Sequence, residues 1–301
     1  MFMKLQGIVV PMITPLTEAG MLDCAGLEKL TNHLIDGGCA ALFGLGTTGE
    51  GPFLSSAMQE EVIRQLCSFS GKRRPVLAGI ASASPEDSIL LGRKAADAGA
   101  AGVVVAPPCY LPMTDDELFD FYSQVAEQVK IPVYIYNMPG MTKITLKPAL
   151  MNKLAAIPGV AGYKDSSNDM NSLHEVLRDL AGKPDFSIFV GPDSLMAETV
   201  MLGGDGGVNS GANLYPEIYV SCFKAMQAGN LQEVMRFQKK IDTLQKIYKV
   251  YQPSGNAVAM GLKTGLKLKG ICGNSMKFPL MQPDSGKEAL IRRIMDEIEA
   301  I

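Results

Sequence analysis

Histidine is scarce in this chain: His33 and His174 are the only two, and neither belongs to an HxxxH pair. The six cysteines (Cys24, Cys39, Cys67, Cys109, Cys222 and Cys272) are scattered, with no CxxC pair among them. That pattern leaves no spacing suited to zinc, and it fits reduced thiols better than a disulfide framework. No apolar stretch approaches the roughly 18 residues that a bilayer-spanning helix needs. The opening stretch MFMKLQGIVVP carries one lysine and a short apolar run that stops at Pro11, too little for a secretory leader. Charge is also nearly balanced, at −3 over 301 residues. A strongly basic surface for nucleic acid or acidic lipid is therefore excluded. The expectation is a cytoplasmic protein with no membrane, nucleic-acid or metal partner, acting on a small molecule.

What the chain does contain is a repeated alternation. Short apolar, β-branched runs are each closed by Gly, Pro or polar residues: 7–15, 41–46, 74–80, 102–108, 132–137, 159–165, 186–191 and 205–211. Continuous apolar runs suit parallel strands buried on both faces. The segments between them carry helix starts. Ser56 with Gln59 and Thr114 with Glu117 match capping boxes, and Ser84-Pro85 places a cap before a first-turn proline. Eight such units predict a closed (β/α)8 barrel, because each parallel connection needs a crossover helix. After about residue 216 the sequence reads as helix over 216–228, 231–250, 255–269 and 285–300, more than one barrel helix requires. The expected organisation is a catalytic barrel over 1–225 with a C-terminal helical appendage over 226–301.

Several strand ends carry chemistry. Gly44-Leu45-Gly46-Thr47-Thr48-Gly49 satisfies GxGxxG. A dinucleotide fingerprint, however, has its third glycine within a helix start and an acid at the end of the next strand. Here Glu50 to Leu54 intervene before any helix, and RPVLAGI ends without an acid, so no nicotinamide cofactor is expected. Thr47, Thr48 and the loop amides instead suit a carboxylate, since successive N–H groups form an anion cradle. Lys164, in Gly162-Tyr163-Lys164-Asp165-Ser166, ends an apolar strand. A lysine so placed either extends to solvent or, desolvated at a barrel mouth, serves as an amine nucleophile. Tyr136 ends the preceding strand in Tyr134-Ile135-Tyr136-Asn137-Met138-Pro139, so it can sit beside Lys164 and shuttle a proton or simply bond to backbone. Tyr110 follows Pro107-Pro108 on an exposed loop, and Asn209 ends the last strand, where it can meet a substrate hydroxyl or the backbone. The run Gly203-Gly204-Asp205-Gly206-Gly207 has no basic residue beside it in sequence and reads as a tight turn, not a phosphate site.

Taken together these segments resemble the dihydrodipicolinate synthase/N-acetylneuraminate lyase family of class I aldolases. Gly46-Thr47-Thr48-Gly49-Glu50, Tyr136-Asn137-Met138-Pro139, Tyr163-Lys164-Asp165 and Gly204-Asp205-Gly206-Gly207 fall in family order. The resemblance implies a cofactor-free lyase with Lys164 as Schiff-base lysine and Tyr136 as proton shuttle, relayed through Thr47 to Tyr110. Thr48 and the amides around Gly46 would then bind the carboxylate of pyruvate. It also implies a homo-oligomer, commonly a dimer of dimers, in which Tyr110 reaches a neighbouring subunit. Two departures matter. Met141 stands where the synthase branch has an arginine clamp for the second substrate, and a thioether cannot supply bidentate donors. Cys109 stands where that branch often carries a tyrosine of its lysine-feedback site. The sialic-acid branch typically shows Ser-Thr where this chain has Thr47-Thr48. The expected activity is therefore aldol cleavage, condensation or dehydration of pyruvate or a 2-keto-3-deoxy sugar acid. The alternatives are 4-hydroxy-tetrahydrodipicolinate synthase, N-acetylneuraminate lyase, or a degenerate barrel that binds a keto acid as a regulator.

Overall fold

A computed structural model describes residues 4–301; Met1 to Met3, part of the stretch read above for a leader, lie outside the described residues. Eight parallel strands close into a barrel in sequence order. They are β1 (Gly7–Pro11), β2 (Ala41–Gly44), β3 (Val76–Gly79), β4 (Gly102–Val105), β5 (Val133–Asn137), β6 (Val160–Asp165), β7 (Ser187–Val190) and β8 (Gly206–Val208). The outer helices begin with α1 (Cys24–Asp36), α2 (Ser56–Ser70), α3 (Pro85–Asp97) and α4 (Asp115–Val129). They continue with α5 (Pro139–Thr142), α6 (Pro148–Leu154), α7 (Met170–Leu180) and α8 (Met196–Met201). Four more follow the last strand: α9 (Pro216–Gln227), α10 (Leu231–Lys249), α11 (Ala257–Leu268) and α12 (Glu288–Ala300). The boundary drawn at residue 225 falls inside α9. Among the described residues no helix is long and apolar enough to cross a membrane.

The expected strands all form, and each is shorter than its apolar run. Residues 12–15 leave the sheet after β1, and Leu45 turns into the left-handed region (φ 63) directly after β2. Residues 210 and 211, expected as strand, open a short 3-10 helix, Ser210–Asn213. The capping box at Thr114 and Glu117 is present, and Ser84 caps α3 through Asp87 N at 3.2 Å. The start of α2 differs. Ser55, not Ser56, accepts the first-turn N–H, and Gln59 donates instead to Gly51 O at 2.9 Å. The cap fell one residue early because the 3-10 turn Gly51–Phe53 brings Ser55 into extended geometry ahead of the helix.

Inside the barrel, side chains alternate with those facing the helices. Val9, Phe43, Leu77, Val104, Tyr134, Tyr136, Phe189 and Val208 belong to the inner cluster. A glycine is required at one level: a Cβ on Gly162 would lie 2.6 Å from the Tyr134 ring and 2.7 Å from Ser187 O. The β5–β6 pairing also carries a register shift, with Val133 opposite Val160 but Tyr134 opposite Gly162. The Gly203–Gly207 run lies at the opposite end of the barrel, where Asp205 accepts from Ile188 N at 2.9 Å. It also pairs with Lys4 at 2.9 Å, a cation distant in sequence.

Candidate active site

The β5–β6 register builds the centre of the site. Without its extra residue, counting from Val133–Val160 would set Tyr136 opposite Tyr163. The bulge instead sets Tyr136 opposite Lys164 and Asn137 opposite Asp165. Lys164 is buried at the barrel's C-terminal mouth, 6% exposed, so the solvent-extended alternative does not hold. Its Nζ lies 3.8 Å from the centre of the Tyr136 ring and 5.3 Å from that of Phe43. Thr47 Oγ1 is 3.4 Å from the Tyr136 hydroxyl. Burial pushes the Tyr136 phenol up, but the Lys164 cation and bonds with Thr47, Ser166 and Lys164 outweigh it. The net shift is below the usual tyrosine value.

The outward-facing residues next in line form a brace. Tyr163 OH donates to Asp165 Oδ2 at 2.5 Å, and Asn137 Nδ2 donates to the same oxygen at 3.1 Å and to Tyr163 OH at 3.0 Å. Asn137 Oδ1 accepts from Leu146 N at 3.1 Å, while Asp165 Oδ1 accepts from Ser167 N at 2.7 Å. Desolvation, then the Asp165 carboxylate, holds the Tyr163 phenol well above its ordinary range, so it stays a donor. Alternation thus puts reactive groups inside and their supports behind.

Thr48, at the turn after β2, lies 2.8 Å from Ser210 through their hydroxyls. Asn209 does not join them. It is fully buried, its Nδ2 directed at Gly191 O at 3.4 Å and its side chain bonded to Asp193, in the 3-10 turn after β7. Parity explains the correction: Val208 faces the interior, so Asn209 faces the helices and Ser210 comes back toward Thr48. Counting in twos from the last apolar inward residue would have selected Ser210. Phe43, which floors the site under Lys164, was missed for a different reason: an aromatic in an apolar run carries no mark of its position. Tyr110 is 94% exposed with φ at 92°, and within one chain it stands apart from the Lys164 group.

A cavity of about 670 Å3 opens over these residues, bordered by Gly46, Thr47 and Tyr136. Its outer wall is mainly apolar, with Phe53, Leu90, Pro107, Cys109, Met138 and Met141. Lys94 also borders it but is ion-paired with Glu60. Among the described residues, no group of three or more His, Cys, Asp or Glu is arranged to hold a metal ion.

The profile of the Dihydrodipicolinate synthetase family matches residues 4–298. The chain belongs to that family. Within it, the chain is 41% identical to the dihydrodipicolinate synthase of Bacteroides thetaiotaomicron, whose structure superposes with a TM-score of 0.94 over 99% of this chain and 100% of that one. Escherichia coli YagE, solved in complex with pyruvate, gives a TM-score of 0.92 at 27% identity over 98% and 99% of the two chains. A probable 2-dehydro-3-deoxy-D-pentonate aldolase of Escherichia coli is 30% identical over 89% of this chain and 90% of its own length. Relatives in the family are lyases, aldolases and synthases, and this chain is an enzyme of the same family.

Proposed function

We propose that this enzyme is a class I lyase that binds pyruvate, or the pyruvyl end of a 2-keto-3-deoxy sugar acid, as a Schiff base on Lys164. The observation that carries the reading is the buried Lys164 amine set level with Tyr136 across the β5–β6 register. The amine attacks the C2 carbonyl, water leaves, and the protonated imine draws electrons from C3. In the cleavage direction Tyr136 takes the proton of the C4 hydroxyl as the C3–C4 bond breaks to give an aldehyde and an enamine. Protonation of the enamine at C3 and hydrolysis of the imine return pyruvate and free Lys164. The imine itself serves as electron sink, so the route calls on no metal or organic cofactor. Thr48, with the amides around Gly46, receives the carboxylate. The enamine is also the intermediate for condensation and dehydration.

The YagE complex with pyruvate and the pentonate aldolase support this substrate class. A second reading, tetrahydrodipicolinate synthesis, is favoured by the identity with the Bacteroides protein. Met141 opposes it, because the synthase branch uses a cation there and the outer wall offers only the already paired Lys94. We further propose a homo-oligomer in which Tyr110 enters a neighbouring subunit's site, and a cytoplasmic location. The test is a screen of 2-keto-3-deoxy acids for pyruvate release, alongside condensation of pyruvate with aspartate semialdehyde. Release from a keto-deoxy acid with weak condensation is expected, without inhibition by free lysine. Efficient condensation would favour the second reading.

A further inference from the structure

Glu50 ends the turn that carries Thr47 and Thr48, and the route proposed above gives it no chemical part. It is 1% exposed and holds φ at 57°, a left-handed conformation uncommon for a residue with a side chain. Its Oε1 faces Nζ of Lys263, whose side chain is fully buried in α11. Lys263 Nζ also donates to Ser275 O at 2.7 Å, and Glu50 Oε2 accepts from Lys277 N at 2.7 Å. Lys277 Nζ reaches Gly20 O at 2.9 Å in the β1–α1 loop. One carboxylate therefore ties the turn after β2 to α11 and to the segment 275–277. Burial pulls Lys263 below the usual lysine value, and the Glu50 carboxylate pushes it back up.

The other side of the turn is equally constrained. Thr14 Oγ1 donates to Gly49 O at 2.6 Å, and a Cβ on Gly49 would lie 2.6 Å from Met12 O. Glu50 N donates to Thr47 O at 3.1 Å. Gly49 is pressed against the segment after β1, and the side chain of Glu50 ties the Thr47–Thr48 turn to the C-terminal region. A buried ion pair is a poor source of stability compared with apolar side chains of similar size. Its presence here calls for another reason.

The geometry points to Glu50, held by Lys263, as a positioning residue through which the C-terminal helix α11 sets the anion cradle for the keto acid's carboxylate. The inference rests on the Schiff-base reading above. It makes the helical region a working part of the site, and Asn256, just ahead of α11, borders the same cavity.

The test compares borohydride trapping of pyruvate with that of acetone, which can form the imine but has no carboxylate. Single variants Glu50→Gln and Lys263→Met each strand a buried polar partner, so the double variant is made as well; it removes both charges. Each protein is assayed well below its own melting temperature. The ratio of pyruvate to acetone trapping rates does not depend on how much protein is folded. A fall in that ratio of about tenfold in the double variant is expected, the size of one well-placed charge-assisted hydrogen bond. The melting temperature of the double variant should stay closer to wild type than that of either single variant. An unchanged ratio, whatever the melting temperatures, would overturn the inference and leave the pair purely structural. Absence of any Lys164 trapping in the wild type would instead sink the Schiff-base reading itself.

Discussion

Around Lys164, at the β5–β6 ends of the barrel mouth, polar side chains are tied to one another: Tyr136 to Thr47, Asn137 to Tyr163 and Asp165, and the Ser167 hydroxyl to Asp165. The outer wall of the cavity, built by the loops after β2, β3 and β4 and by α5 beyond β5, is mainly apolar and open. Met141 is 54% exposed there and Tyr110 94%. Groups held on strand ends suit bond making, where small displacements cost rate. Loop side chains suit choice of partner, because they can change without moving the strands. In the proposed reaction, that difference would separate a fixed half, which forms and breaks the imine, from an adaptable half, which selects the aldehyde.

Substitutions on the fixed side should have the largest effects. Lys164→Ala should lower turnover on the order of 10³-fold or more, since it deletes the nucleophile and leaves only binding. Turnover assays on the folded variant check this, and residual activity within tenfold of wild type would erase the distinction between the walls. Tyr136→Phe should cost about 10²-fold in kcat while imine trapping persists, because a general acid–base group contributes on that scale. Cleavage should also rise with pH as the Tyr136 phenol ionises. That rise should fall below the ordinary tyrosine value of about 10, because the Lys164 cation and its hydrogen bonds outweigh burial. Thr47→Val removes one of those bonds and should move the rise to higher pH. A pH–rate profile that is the same in Thr47→Val and wild type would count against the relay.

Substitutions on the adaptable side should change preference more than rate. Met141→Arg places a cation on the open wall and should improve condensation with an anionic aldehyde by about tenfold, with little change in pyruvate trapping. Equal losses with charged and neutral aldehydes would show that Met141 packs and does not select. The smallest expected effect concerns the brace. Asn137→Ala leaves Leu146 N without its buried acceptor and should cost about 2 kcal/mol of stability, read by denaturant unfolding. Trapping of pyruvate should weaken only modestly.

Most of the fixed half was legible in the sequence, and the physical reason is periodicity. Parallel strands buried on both faces appear as continuous apolar runs, and a lysine or tyrosine closing such a run must sit at the barrel mouth. Lys164 and Tyr136 become candidates that way; their roles come only from the family resemblance. Their strand-end positions already allowed them to sit side by side, but the register that sets them level depends on the bulge between β5 and β6 and was not readable. Which way Asn209 faces was not readable, because the apolar run alone does not mark where β8 ends and the direction of each side chain follows from that end. The link between Glu50 and Lys263 was not readable either: Glu50 closes the Gly46–Glu50 motif, but nothing in the sequence pairs it with a lysine in a helix beyond β8.

The central claim is a covalent one, and peptide mapping after reduction tests it most directly. Trypsin cleaves an unmodified chain after Lys153, Lys164 and Arg178, giving peptides 154–164 and 165–178. Treatment with pyruvate and borohydride should convert Lys164 to a secondary amine that resists trypsin. A single 154–178 peptide carrying one reduced pyruvate should then appear. Peptides 154–164 and 165–178 recovered unmodified and in full yield, or the adduct found on another lysine, would contradict the account.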